Sequence, residues 1–376
     1  MAEAEEATGS NDRRLPALEG LRGMMTLMVV VSHYFAELPH GVRAVMFGWV
    51  AVDMFFVMSG YLIGKLILEK KGHANFFLVF YVRRSLRILP PYVLVVAVVW
   101  ALVEMLPAWT DAPVRFPLWS YLTFTQTFLM VDQASIGAHW LAPTWTLAVE
   151  EHFYLVIPAV LVFTPARRLI WGLIAAAVIA VALRAALSGQ GPEAAFASLV
   201  LLPARADILV LGLLAAVGVV RGRIDWSRWL TWLRIAPLVA LVATFALQML
   251  APALFPVLSP TLIAAGCAGY LLAIVRDAPE ARVHHAAWLR FLGANSYCIY
   301  LTHMPVLGLM HGGLLGAAPD VETPVQWAVS FAALPVALLV GWAMTKLVEE
   351  PAMKLGRRWT WSAEPRRLGR LAPKPG

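Results

Sequence analysis

Arg22 and His33 stand eleven positions apart in one apolar run. At ~100° per residue that is three turns plus ~20°, so both side chains leave one helix face, about 16 Å apart along the axis. An arginine and a histidine aligned on a membrane helix are costly unless they line a cavity. A histidine so placed can take a proton from an attacking hydroxyl, and a carboxylate beside it can fix its tautomer. Other ionisable residues in apolar runs offer such partners: Asp53, Glu150, Glu151, Arg205, Asp207 and His303. In a bundle whose helices alternate in direction, all of these fall at one level in the outer half. A shared polar cavity explains that coincidence better than independent scatter, although pairwise structural ion pairing is the plainer alternative.

The elements that must hold these residues follow from composition. The 376 residues are 60% hydrophobic and 14% charged, with a mean hydropathy of +0.71. That excludes an ordinary soluble globule. Ten apolar runs are long enough to span a bilayer: 15–38, 46–68, 88–106, 144–163, 169–187, 197–220, 230–250, 257–275, 288–311 and 325–347. The expected fold is an all-α membrane protein, a bundle of about ten transmembrane helices with both termini cytoplasmic. Its integral membrane domain covers 1–350 and is followed by a basic cytoplasmic tail, 351–376. The chain from Lys354 onward reads as a disordered surface segment. Pro90-Pro91 fit the first turn of the third helix, where a missing N–H costs least. The connection 107–143 carries an apolar patch, Leu118 to Val131, too short to span comfortably and expected to be re-entrant or interfacial.

Charge supports this topology. Of the 30 Lys and Arg, 25 fall in segments assigned to the cytoplasm, from Arg13 and Arg14 to Lys374, and two, Arg43 and Arg115, in outer loops. Such a split is a positive-inside pattern. It accounts for the net charge of +7 without nucleic acid as a partner. Cys267 and Cys298 lie in apolar segments and suggest neither a disulfide framework nor a metal site. His284-His285 lacks carboxylate or cysteine company, so no metal is expected. The acidic, polar first dozen residues do not fit a cleavable signal.

Arg84 and Arg87 share a helix face, with Arg83 adjoining. An arginine fork near a helix start suits phosphate groups, and simple anchoring at the cytoplasmic surface is the bland alternative.

Five motifs occur in order along nearly the whole chain. They are Leu18-Glu19-Gly20-Leu21-Arg22-Gly23 with Ser32-His33, and Val52-Asp53-Met54-Phe55-Phe56 running on to Ser59-Gly60-Tyr61-Leu62. Arg84-Ser85-Leu86-Arg87 with Pro90 and Tyr92, and Pro143-Thr144-Trp145-Thr146 to Glu150 with Phe153-Tyr154, follow. The last is Leu292-Gly293 to Ser296-Tyr297, then Ile299-Tyr300-Leu301 and His303. Together they resemble the acyltransferase-3 family of integral membrane acyltransferases. Thr146 departs from the family's usual serine but keeps a hydroxyl.

The resemblance implies a membrane O-acyltransferase of the cell (inner) membrane. It would move an acyl group, commonly acetyl, from cytoplasmic acyl-CoA to a hydroxyl of a carbohydrate or glycosylated acceptor. Acyl-CoA is then a co-substrate, with no resident cofactor. Some members carry a fused hydrolase-like domain, for which this chain shows no counterpart. His33 matches the family histidine and Arg22 its first-helix arginine. Arg84 and Arg87 match its paired arginines, expected to hold the donor's phosphates. Asp53 or Glu150 is expected to fix the His33 tautomer, with Asp53 favoured because a short loop joins its helix to that of His33. Tyr154, Arg205, Asp207 and His303 are expected to line the layer or bind acceptor. An acyl-histidine intermediate is the variant route. A transporter or flippase of a glycolipid or polysaccharide unit, and acylation of a soluble glycosylated metabolite on the cytoplasmic side, are the alternatives. The sequence leaves homo-oligomerisation open.

Overall fold

The computed structural model describes residues 16–46, 48–110, 114–222, 226–276 and 278–363. Arg13, Arg14 and Arg223 of the charge pattern, and tail residues 364–376, lie outside the described residues. Among the described residues the regular structure is helical, without a β-strand. The long helices are α1 Pro16–Phe35, α2 Gly48–Lys70, α3 Phe76–Met105, α4 Thr144–Phe163, α5 Ala166–Leu187, α6 Leu202–Arg221, α7 Leu230–Leu250, α8 Phe255–Val275, α9 Ser296–Leu315 and α10 Pro324–Met344. Nine of the ten expected runs become helices long and apolar enough to cross a membrane by length and composition. The tenth, α1, is long enough, but Glu19, Arg22, Ser32 and His33 dilute its apolar character.

Four elements differ from expectation. Helix α3 begins at Phe76 and not near 88, because no breaker interrupts the apolar stretch from Phe76 to Val82. Pro90 and Pro91 therefore lie inside the helix, and Arg84 and Arg87 lie two to three turns past its start. The sixth run is broken: Pro192–Val200 ends at the extended residue Leu201, and α6 starts at Leu202. Pro203, in the first turn of α6, supplies no N–H to continue the earlier helix. The ninth run divides at Asn295 into Ala287–Ala294 and α9. Finally, the described part of the chain after Lys354, up to residue 363, is not loose. Glu350–Gly356 is helical, and residues 359–362 dock on the segment before and inside α3. Asn75 donates to Thr360 O and accepts from Ser362 N–H, Arg83 Nε donates to Trp359 O, and Trp361 stacks on Phe76. Two tryptophans provide enough apolar area to hold a short basic segment down.

The connection 107–143 holds two short helices, Leu118–Leu122 and Gln126–Asp132, separated at Phe124, whose φ is 58°. Neither is long enough to span.

The helices form two compact units: Met1–Met58, Leu106–Asp111 and Asp225–Trp342, and Ser59–Met105, Ala112–Ile224 and Ala343–Gly376. In the first unit α1 lies backbone to backbone against residues 284–293. A Cβ on Gly20 would fall 1.8 Å from His284 O, one on Gly23 1.9 Å from Leu289 O, and one on Gly293 1.8 Å from Glu19 O. Small residues allow membrane helices this approach. In the second unit Gly60 does the same against Leu209 of α6, and Gly64 makes room for the Leu213 side chain. Gly23→Leu is expected to destabilise by at least the ~1–3 kcal/mol typical of overpacking. Gly72→Leu, at a site with nothing within 4 Å, should not. Thermal unfolding in detergent checks this, and equal melting of both variants would refute the close-packing account.

Candidate active site

His33 lies in the last turn of α1, with its side chain 17% exposed. Its Nδ1 is 2.7 Å from Nε2 of His303 on α9, and the two rings stack at 5.0 Å. His303 is fully buried, and its Nδ1 lies 2.7 Å from the carbonyl of Tyr300. Tyr34 O–H donates to the carbonyl of His303 itself, fixing the backbone of α9 against α1. On its other side, His33 Nε2 is 3.5 Å from Oε2 of Glu37, whose Oε1 accepts from the buried Ser32 hydroxyl at 3.0 Å. One ring edge is thus anchored and the other faces a carboxylate.

The sequence assigned the fixing of His33 to Asp53 or Glu150. In the structure His33 Nδ1 meets His303, which lies 270 positions away in the chain. Asp53 is buried on α2 in the same unit, and its charge is felt at Cys267 of α8. Arg22 lies on α1 as expected, its carbonyl accepting from Thr26. Glu37 was missed. Its signal was present, four residues after His33 and inside the first apolar run, 15–38, but it was not counted among the ionisable residues of the layer.

The second unit carries its own polar group. Tyr154 of α4 is fully buried and hydrogen-bonded to Ser59. The Arg84 guanidinium stands 3.8 Å over the Tyr154 ring. Glu150 and Glu151, a turn earlier on α4, are the charged neighbours of that tyrosine. The expected arginine fork is therefore divided. Arg83 goes to Trp359 and Trp361, Arg84 to Tyr154, and Arg87 to Glu349 at 3.9 Å. Arg84 Nε is buried without a hydrogen-bond acceptor. Arg205 is buried, 5.9 Å from the Trp145 ring. Asp207 is taken up by Arg184 of α5 in a bidentate pair at 2.7 and 2.8 Å. That pairing gives Asp207 a buried counter-charge on α5.

One group of potential metal ligands lies away from His33. His40, Asp320 and Glu322 each offer one donor atom, all within 4.8 Å of one another. His40 and Asp320 already satisfy each other at 2.7 Å, and two backbone N–H groups also reach Asp320. The hydrogen bond and charge of Asp320 raise the His40 pKa. Against the burial that would raise it, the same contact lowers that of Asp320. The arrangement is that of an ion pair closing two loops.

The centre is thus a histidine pair between two membrane helices, one ring buried and the other partly exposed. A family model for an acyltransferase domain matches residues 15–346. The chain belongs to the acyltransferase-3 family. Its relatives in that family include acyltransferase MdmB of Streptomyces mycarofaciens, 29% identical over 96% of this chain and 97% of that protein. The putative peptidoglycan O-acetyltransferase YrhL of Bacillus subtilis is 26% identical over 92% of this chain, which spans 56% of its length. A putative O-acetyltransferase of Staphylococcus aureus is 28% identical over 40% of this chain and 25% of its own length. No solved structure matches the chain. As an acyltransferase-3 protein with nine long apolar helices among the described residues, it is a multi-pass membrane acyltransferase.

Proposed function

We propose that this acyltransferase moves an acyl group, acetyl in the simplest case, from cytoplasmic acyl-CoA to a hydroxyl of a carbohydrate-bearing acceptor, with His33 as general base. The observation that carries the proposal is a partly accessible imidazole held at Nδ1 by His303, with its Nε2 edge toward Glu37, within a membrane helix. In the reaction the acceptor oxygen attacks the thioester carbonyl carbon as its proton passes to His33. The tetrahedral adduct then collapses, the C–S bond breaks, and the imidazolium returns the proton to the CoA sulfur. Ester and free thiol are the products.

Arg84 and Arg87 are assigned to the donor's phosphates, and Arg22, on the His33 face of α1, to the donor as well. In support, a guanidinium against an aromatic face retains N–H groups for an anion, and Arg84 Nε is unpartnered. Arg87 holds Glu349 at 3.9 Å, a separation a phosphate could displace. Tyr154 and Arg205 are kept as acceptor-lining candidates. Relatives described as O-acetyltransferases support an oxygen acceptor.

The test is release of CoA thiol from acetyl-CoA by the purified protein, with and without acceptor. A companion measurement is mass spectrometry of glycans from a deletion strain and its parent. A loss matching one acyl group is expected, and acceptor-independent silence in both assays would overturn the proposal. For the donor site, Arg84→Ala and Arg87→Ala are each expected to raise KM for acyl-CoA by about tenfold or more, as a lost charge-assisted contact implies, with kcat largely kept. A fall in kcat with unchanged KM would place these arginines elsewhere.

A further inference from the structure

We infer that Nε2 is the basic atom of His33, and that Glu37 is the carboxylate that stabilises its protonated form. The inference rests on the general-base assignment above and deepens it. It follows from one backbone carbonyl. Tyr300 O can accept but cannot donate, so His303 Nδ1 must carry a hydrogen. In a neutral, fully buried His303 the other nitrogen, Nε2, is then a bare acceptor. His33 Nδ1, 2.7 Å from that acceptor, must therefore be the donor. The lone pair of neutral His33 is left on Nε2, the edge turned toward Glu37. A single main-chain oxygen on α9 thus sets the tautomers of two histidines.

Glu37 is built to meet the charge that follows. When Nε2 takes the acceptor's proton, the imidazolium faces Oε2 at 3.5 Å. The Ser32 hydroxyl, donating to Oε1, keeps the carboxylate from swinging away. Gly48 at the start of α2 closes the arrangement, since a Cβ there would sit 2.8 Å from Ser32 Oγ and 3.3 Å from Glu37 Oε1. The two groups stand 3.5 Å apart with side chains 17% and 33% exposed, so an acceptor hydroxyl would reach Nε2 from the exposed side of the pair and not between them.

Other titratable groups flank the pair among the described residues. From α9 come His303 and Tyr300, and from α1 itself Tyr34. Asp53 is a buried carboxylate of α2 in the same unit. Arg290 pairs with Glu19, and His284 bonds Tyr270. Both belong to the other end of α1, beside Gly20, some 20 Å from His33 by helix rise. Glu37 is thus a positioning and charge-stabilising residue acting through His33.

The experiment is the pH dependence of kcat for parent, Glu37→Gln, Glu37→Asp and His33→Asn, with thermal unfolding as the folding control. Removing the anion makes the imidazolium less favourable, so the acid limb of Glu37→Gln should move down by about one pH unit. Its plateau should fall by up to about tenfold, since one pH unit equals a tenfold factor in rate. KM for acyl-CoA should hold, and Glu37→Asp should restore much of the limb. A dead His33→Asn beside a Glu37→Gln with unmoved limb and plateau would overturn the assignment of Glu37 and leave the base standing. Full turnover in His33→Asn would remove the base and Glu37 together. A Glu37→Gln enzyme that merely melts earlier, its limb unmoved, would likewise overturn the inference.

Discussion

His33→Asn is expected to lower kcat by about a hundred- to ten-thousand-fold, the usual contribution of a general base. Asparagine is the informative replacement. Its amide nitrogen lies near the position of His33 Nδ1 and can still donate to His303 Nε2, so the buried acceptor stays satisfied. Alanine would strand that nitrogen at a cost of about 1–3 kcal/mol and confuse chemistry with folding. Donor affinity and the melting temperature should therefore be close to those of the parent. Single-turnover acetyl transfer in detergent, with donor binding measured separately, checks this. Wild-type turnover in the asparagine variant would end the catalytic assignment.

Asp207→Asn is expected to be among the most destabilising single changes in the chain. The Arg184 and Asp207 side chains are 1% and 0% exposed and meet through two parallel hydrogen bonds. Arg184 also donates to Ala204 O. Removing one charge leaves the other buried and uncompensated, which costs about 3–5 kcal/mol. Replacing both, as Arg184→Met with Asp207→Leu, removes the stranded charge and should recover most of the loss. Thermal unfolding of the two single variants and the double variant measures the coupling. If the singles melt with the parent, the pair does not hold α5 to α6. If the double is no better than the singles, packing rather than charge is the cause.

These two experiments act on residues of opposite legibility. His33 was identifiable in the sequence, because a histidine inside an apolar run must be explained whatever surrounds it. Asp207 was singled out for the same reason, as a residue lining the layer or binding acceptor, and the structure pairs it with Arg184. Its partner Arg184 sat in a separate run and was counted merely as a basic residue within a span. Hydropathy reports that a charge is buried and says nothing about which helix supplies the counter-charge. The arginine pair shows a related limit. Spacing correctly put Arg84 and Arg87 within a turn of each other, but α3 extends twelve residues further toward the N-terminus than the apolar count suggested. The arginines therefore lie inside the helix, and each meets a different neighbour. The C-terminal segment was read as loose from its basic composition, while Trp359 and Trp361 carried the docking signal.

The sequence by itself determined that the chain is an all-α membrane protein, with about ten helices in nearly their final positions, and its family. Those properties follow from local composition and from motifs that lie along single runs. It also determined that a polar set, including His33, Asp53, Glu150, Tyr154 and His303, had to be buried among apolar helices. The tertiary structure decided the partners: His303 and Glu37 for His33, Tyr154 for Arg84, Glu349 for Arg87, and Arg184 for Asp207. The reason is physical. Burial follows from a residue's own transfer free energy, which can be read one position at a time. A hydrogen bond between α1 and α9 depends on how two helices cross. In the first unit that crossing is set by backbone contacts at Gly20, Gly23 and Gly293, which no spacing along the chain encodes.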